Sequence, residues 1–398
     1  MNRNNPFPER RIQYLGEISE PPRWLPTHTH QTIMPILDSS RVGVFTLRNP
    51  SPVEIRHLER IASESSGILS IFKAGADEYC IYIGSQREVC RREYEGPDGP
   101  VLRCEDFVSA VRRYSSVEFT LKLPGGSLKL GERTIIMGIL NVTPDSFSDG
   151  GRFLTFDAAI AHGEKMAEDG ADIIDVGGES TRPGAEYVPL EEEAERVIPV
   201  IEHLARTLSI PISIDTCKAE IAKRALDAGA QIVNDISALR SDERMINVVR
   251  DSNCPLILMH MQGTPKTMQQ NPSYDALIPE ILSFLEERMH SVVQQGVDLE
   301  QTIIDPGIGF GKTVDHNLEI LRGLAQFRAL GRPILVGPSR KSTIGKVLDA
   351  EVYDRIEGSA AAVAVAIANG AHIVRVHDVK EMARVAKMTD AIMGKKWK

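Results

Sequence analysis

The sequence predicts an α/β protein, a (β/α)8 barrel preceded by a small α+β domain. Three observations carry that reading. From residue 130 onward, eight short apolar runs recur about 20 to 45 residues apart, each followed by a helical pattern; right-handed crossovers close eight such units into a barrel. Polar residues stand where these runs end, the face on which a barrel builds its ligand site. The length of 398 residues exceeds one ordinary domain and suits a barrel of about 250 residues plus a smaller partner. The runner-up, a doubly wound sheet, lacks a G-x-G-x-x-G after its first strand.

The N-terminal part, residues 1–115, comes first. Pro6, Pro8, Pro21, Pro22, Pro26 and Pro35 break any long helix, so residues 1–50 read as irregular. Ser51, Pro52 and Glu54 form a helix start, with Ser as N-cap and Pro at the first helical position; that helix runs to about residue 65. Residues 68–73 and 78–83 read as a hairpin, and a short helix follows over 105–114. His28 and His30 sit two apart, but no third metal ligand stands with them. Nothing in these residues has the spacing of a chemical site.

The barrel domain, residues 116–398, opens with a hairpin. Residues 117–123 and 127–130 flank Pro124-Gly125-Gly126, and this hairpin could plug the bottom of the barrel. The eight strands are expected at 135–142, 173–176, 212–215, 232–235, 256–260, 302–305, 334–336 and 373–377. The helix after the second shows the pattern: Leu190, Ala194, Val197, Ile198, Ile201 and Leu204 make one apolar stripe. Glu191, Glu192, Glu193 and Glu195 suit the positive end of its dipole and read as a solvated face rather than a metal site.

Composition narrows the function. No run approaches the roughly 18 apolar residues that cross a bilayer, and MNRNNPFPERR has no apolar core for a signal or anchor. Five cysteines without a C-x-x-C spacing read as reduced thiols of a cytoplasmic protein. The net charge of −9 argues against nucleic acid as a partner. Residues 1–130 hold 17 Lys/Arg against 16 Asp/Glu; the remaining 29 against 39 make the barrel acidic. Each Arg or Lys at a strand end is therefore informative. Those ends carry Asn141, Asp175, Asp215, Asn234, Asp235, His260, Asp305, Arg340, Lys341, Arg375 and His377. Any one could simply cap the next helix, as Asp235 and Asp378 are suited to do. Such a set on one face is costly unless a ligand pairs it.

The motifs in which these residues stand are long and ordered: MGILNVTPDSFSDGG from Met137, IIDVGGESTRPGA from Ile173, SIDT from Ser213, VNDIS from Val233, DPGIGFGK from Asp305, GPSRKS from Gly337 and VRVHD from Val374. Together they resemble the dihydropteroate synthase family of pterin-binding barrels, over roughly residues 130–392, with residues 1–115 outside the match. The resemblance implies an alkyl transferase of folate biosynthesis and a target of sulfonamides. It would condense a dihydropterin bearing a 6-hydroxymethyl diphosphate with 4-aminobenzoate, yielding dihydropteroate and pyrophosphate. It also implies Mg²⁺ as cofactor and a homodimer as the assembly.

By resemblance, Asp215, Asn234, Asp305 and Lys341 hold the pterin, whose edge alternates donors and acceptors that buried Asp and Asn can match. Phe310 either covers the ring face or packs in the core. The diphosphate falls to Asn141, Arg375 and His377, with Asn141 also the Mg²⁺ ligand, since Mg²⁺ keeps several waters and needs few protein ligands. Asn141, Lys341, Arg375 and His377 are the catalytic set. Ser342 would receive the aminobenzoate carboxylate at a helix start. Phe147, Thr181, Arg182 and Pro183 would wall the amine from two lids over 143–152 and 179–186; these loops could otherwise be plain connections. No nucleophile–base constellation is present, which suits departure of pyrophosphate from a methylene with cation character. Two other readings remain open: a pterin-dependent methyltransferase, which needs no diphosphate site, and a non-catalytic pterin-binding scaffold.

Overall fold

The computed structural model describes residues 116–143, 152–180 and 187–396, together with four strands nearer the N-terminus. The chain divides into two compact units, Met1–Ser116 with Ala325–Gly331, and Val117–Leu324 with Arg332–Lys398. In the first, β1 (Ile12–Ile18), β2 (Val42–Arg48), β3 (Leu69–Lys73) and β4 (Glu78–Ile83) form an antiparallel sheet in the order β1-β2-β4-β3. The β3–β4 hairpin is the expected one, pairing Phe72 with Cys80. The expectation that residues 1–50 are irregular is corrected by β1 and β2. The six prolines all fall outside IQYLGEI and VGVFTLR, so they bound these strands rather than break them. The helices expected over 51–65 and 105–114, and His28 and His30, lie outside the described residues.

In the second unit, β5 (Phe119–Leu123) and β6 (Gly126–Leu130) form the predicted hairpin, turned at Gly125 with φ +80°. Eight parallel strands follow: β7 (Ile135–Asn141), β8 (Ile173–Gly177), β9 (Ile212–Asp215), β10 (Ile232–Asp235), β11 (Leu256–Met259), β12 (Thr302–Asp305), β13 (Leu335–Val336) and β14 (Ile373–Val376). Their order is β12-β11-β10-β9-β8-β7-β14-β13, and a parallel bridge between Ile304 and Ile334 joins the two ends into a barrel. Around it run α1 (Arg152–Glu168), α2 (Leu190–Thr207), α3 (Ala219–Asp227), α4 (Met245–Ser252), α5 (Leu277–Gln294), α6 (Val314–Arg322), α7 (Ser342–Leu348), α8 (Ile356–Ala368) and α9 (Val379–Ile392). No helix among the described residues is long and apolar enough to cross a membrane.

The hairpin plugs the barrel. Leu121 and Leu130 are buried against Ile135, Met137, Ile173, Ile232, Ile257, Ile303, Leu335 and Ile373, each leucine contributing about 1.5–3 kcal/mol from area removed from water. Gln301, just before β12, pins the plug: its Oε1 accepts from the Lys122 N–H at 2.9 Å and its Nε2 donates to the Lys122 carbonyl at 2.8 Å.

This plug layer decides what the strand ends present. Side chains two residues apart on a strand share a face. Two residues beyond Ile173, Ile232, Ile303 and Ile373 stand Asp175, Asn234, Asp305 and Arg375, so these four point into the barrel. Register adds Asp215, directly beside Asn234. The alternation also puts Asp235 and His260 on the opposite face, which corrects the expectation that His260 joins the site and leaves Asp235 the structural role it was suited to. Asp235 instead accepts from the Ser237 and Leu239 N–H groups at 2.8 Å each, holding its turn. His260 is buried edge-on against Phe284 of α5, ring centroids 4.9 Å apart.

Helix α2 buries Ala194, Val197, Val200, Ile201 and Leu204, much as expected, but it also buries Glu193 completely. The four glutamates are therefore not one solvated face. Glu193 lies one turn before Val197 and continues the apolar stripe toward the barrel.

Candidate active site

A cavity of about 490 Å³ opens at the C-terminal ends of the strands, and its wall includes Asn141, Phe310, Lys341, Ser342, Arg375 and His377. Six of the residues singled out from the sequence thus meet in one place. Asp215, Asn234 and Asp305 are buried behind this wall, each less than a tenth exposed, and two of them are tied to it through Arg375. Arg375 Nε donates to Asp175 Oδ2 at 2.6 Å and its Nη2 to Asp215 Oδ2 at 2.7 Å. Asp175 Oδ2 also accepts from Asn234 Nδ2 at 2.9 Å. Phe147, Thr181, Arg182 and Pro183 lie outside the described residues, as do most of the loops expected to close as lids.

Burial of carboxyl, amide and guanidinium groups this close together moves two of the carboxyls, Asp215 and Asp305, toward neutral pH. Burial pushes Asp215 up to about 7; Arg375 pulls it back and Asp175 adds to the rise. Burial likewise lifts Asp305 to about 6 against the Gly307 N–H, which donates to it at 2.7 Å, and against Lys341, Lys312 and Arg375. Arg375 itself is raised: burial opposes its charge, but Asp175 and Asp215 outweigh that.

The rim is a loop, GPSRKS, between β13 and α7. Arg340 has a left-handed backbone, φ 55°, unusual for a residue with a side chain. Three neighbours hold it there. Its N–H donates to Ser359 Oγ at 3.0 Å, its guanidinium grips both carboxylate oxygens of Asp378, and its carbonyl accepts from Arg355 at 3.0 Å. Asp378 was suited by sequence to cap α9, but it makes no side-chain cap bond there and serves Arg340 instead. The bend throws Lys341 across the cavity, its ammonium 4.1 Å from the centre of the Phe310 ring, a cation–π distance. A Cβ on Gly309 would come within 3.0 Å of Lys341 Cδ. Burial lowers Lys341 to about 8, helped by Arg375 and opposed by Asp305. Ser342 is exposed at the first position of α7, a helix of only seven residues.

His377 lies one residue past β14, on the same side as Arg375, with its Nδ1 3.2 Å from Ser339 Oγ. Burial lowers it to about 3, reinforced by Arg375, Arg340 and Lys341. Its imidazole is therefore neutral at pH 7 in the free protein. Asn141 is half-buried at the end of β7. Among the described residues no three His, Cys, Asp or Glu side chains form a metal cage. A Mg²⁺ ion would fit here only as the expectation had it, on the Asn141 amide and the substrate's own phosphate oxygens.

Sequence reasoning gave no role to three residues that shape this site. Asp175 was visible as a strand-end residue, and the two-residue step from Ile173 assigns it to the floor. Lys312 closes the DPGIGFGK motif; its ammonium donates to the Phe310 carbonyl at 2.9 Å and lies 2.9 Å from His260 Nδ1. Burial lowers it to about 7. Arg355 gave no signal at all, because its role depends on α7 folding back past it: a Cβ on Gly345 would lie 2.2 Å from its guanidinium.

Residues 137–377 match the family of pterin binding enzymes, and that span contains both floor and rim. This chain belongs to the pterin-binding family, among the dihydropteroate synthases. It is 51% identical over 263 residues to the dihydropteroate synthase of Synechocystis, covering 66% of this chain and 91% of that protein. It is similar to the solved dihydropteroate synthase of Yersinia pestis in complex with a sulfonamide drug, with a TM-score of 0.66, 41% identity, and coverage of 70% of this chain and 100% of that one. The Xanthomonas albilineans dihydropteroate synthase solved with 4-aminobenzoic acid gives a TM-score of 0.65 at 44% identity, covering 69% and 98%. The eight-stranded barrel and its family are as the motifs implied.

Proposed function

We infer that this chain is a dihydropteroate synthase, condensing (7,8-dihydropterin-6-yl)methyl diphosphate with 4-aminobenzoate to give 7,8-dihydropteroate and pyrophosphate in folate biosynthesis. The observation that carries the reading is the inward floor of Asp175, Asp215, Asn234 and Arg375, set beneath Lys341 and Phe310 in a chain of this family. A flat heterocycle with alternating donors and acceptors satisfies such a floor, its N–H groups donating to carboxylate oxygens that are acceptor-only once ionised.

Asp215, Asn234 and Asp305 bind the pterin edge, Lys341 its oxygen side, and Phe310 covers the ring. Asn141, Arg375 and His377 receive the diphosphate; Asn141 would hold Mg²⁺ there together with the phosphates, and the ion would supply charge neutralisation. The methylene carbon–oxygen bond breaks, and the leaving pyrophosphate takes the electron pair next to these donors. The aniline nitrogen then forms the new bond to that carbon and releases its proton. Ser342 and the rim receive the carboxylate of aminobenzoate. Mixing the two substrates with Mg²⁺ tests the reading: pyrophosphate and dihydropteroate should appear in equal amounts. A pterin-dependent methyltransferase would release no pyrophosphate, and a binding scaffold would form no product at all.

The assembly proposed is a homodimer. Val347 and Leu348 of α7, the following Val352 and Tyr353, and Val365 of α8 are exposed, Tyr353 by 83%, and a second copy covering them would remove this apolar surface from water. Sedimentation of the purified chain decides it. A cytoplasmic location suits the phosphorylated substrate and the unpaired thiols of Cys217 and Cys254.

A further inference from the structure

Outside the cavity lies a buried charge cluster for which the reaction as described has no use. Glu193 of α2 is fully buried. Its Oε1 accepts from Thr216 Oγ1 at 2.7 Å and its Oε2 from the Lys218 ammonium. The same ammonium donates to Glu179 and stands 4.6 Å from the centre of the Tyr187 ring. One lysine, just past β9, therefore binds both ends of the connection between β8 and α2. Its own anchor is a carboxylate that has nowhere else to place its charge.

The near end of that connection is pinned a second time. Arg196 of α2 donates to the Gly178 carbonyl at 2.8 Å. Gly178 also packs so closely on α2 that a Cβ would fall 2.7 Å from Val197 and 2.9 Å from Glu193. The next residue is Glu179, and the one after it, Ser180, is on the wall of the substrate cavity. A buried ion pair is weak evidence of stability, because desolvation offsets most of the attraction. A buried pair that also reaches out to a loop is better explained as fixing a geometry.

We propose that Lys218 is a positioning residue for the aminobenzoate side of the site, holding Glu179 and Tyr187 to Glu193 and so setting Ser180 at the cavity wall. The inference rests on the reading that the connection after β8 serves aminobenzoate. Lys218 does not line the cavity, and its hydrogen bonds go to Thr216, Glu179 and Glu193 rather than to Asp175, Asp215, Asn234 or Arg375 of the pterin floor. The cost of its loss falls on one substrate.

Steady-state kinetics of the full chain decide the matter. Lys218→Met should raise KM for 4-aminobenzoate about tenfold or more while KM for the pterin diphosphate changes less than twofold, and Lys218→Arg should recover much of the loss. Because Lys218→Met leaves Glu193 buried without its cation, a second variant is needed. Glu179→Gln keeps the Glu193–Lys218 pair and loosens only the loop end, so it should fold normally and show the same one-sided rise. Thr181→Ala serves as the control for the underlying reading. If Thr181→Ala raises KM for aminobenzoate and Glu179→Gln does not, the tether is overturned and the assignment of the connection stands. If neither moves it, both fall. Equal rises for the two substrates in Glu179→Gln would likewise overturn the proposal, since they would mark a general disturbance of the barrel.

Discussion

Asp175, Asp215 and Asn234 of the floor stand on three neighbouring strands, β8, β9 and β10, whereas Lys341 and Arg340 of the rim stand on a loop. The floor is held by the barrel's own hydrogen-bonded ladder and by the plug layer two residues below it. The rim has no ladder. It depends on Arg355, Ser359 and Asp378, brought in from beyond α7 and from the end of β14. A floor built on strands tolerates electrostatic discomfort, and three of its groups, Asp215, Asp305 and Arg375, are moved from their ordinary values by burial and by each other. A rim built on a loop must be braced group by group. Losing a brace should therefore cost activity with stability little changed, whereas relieving the floor should cost substrate binding while leaving stability equal or higher.

The largest effect is expected at the rim. Lys341→Ala should lower kcat/KM by about 10²–10³, the cost of losing one preorganised donor at a reacting group, with the thermal midpoint unchanged within a few degrees. Near-normal turnover would remove Lys341 from the pterin site. Next comes the brace: Gly345→Ala drives a methyl into the Arg355 guanidinium and should cost about tenfold in kcat/KM through displacement of Lys341. Finding full activity would show that Arg355 does not set the loop.

Asp215→Asn probes the floor. A carboxyl raised from 3.8 to about 7 binds its proton more tightly in the folded state, so its contribution to stability falls as pH rises between those values and is unfavourable above 7. Replacing it with a neutral amide should raise the pterin KM about tenfold yet leave the midpoint at pH 8 equal or higher. A drop of more than about 5 °C, roughly 3–4 kcal/mol in a chain of this size, would show that the Asp215–Arg375 pair outweighs its own burial.

The pH profile joins the two regions in one measurement. With Asp305 at about 6, Asp215 at about 7 and Lys341 at about 8, kcat/KM for the pterin should rise as the carboxyls ionise, then fall several-fold above pH 8 as Lys341 loses its proton. Lys341→Arg should abolish the alkaline limb alone; an unchanged profile would assign that limb elsewhere. The smallest effect is expected from residues 1–115. A chain beginning at Val117 keeps the β5–β6 plug and should retain turnover within about twofold, and a soluble, monodisperse but inactive product would place part of the site in the missing residues.

The sequence by itself determined the barrel and much of the floor. Apolar runs at regular spacing give strands, and the polar residue that ends each run is legible because a strand keeps a period of two. That same period, applied strictly, separates Asp175 and Asn234 from Asp235 and His260 without any coordinates. Tertiary structure alone decided the rest. Four glutamates among five residues, 191–195, read as one exposed face until α2 is docked and turns Glu193 inward, where Lys218 must meet it. Arg355 braces Lys341 across a gap of 14 residues, and His377 is held far below its ordinary value by its burial and by the Arg375, Arg340 and Lys341 charges that packing gathers around it. Periodicity records which way a side chain points along its own element; which charge it meets there is set by how separate elements pack.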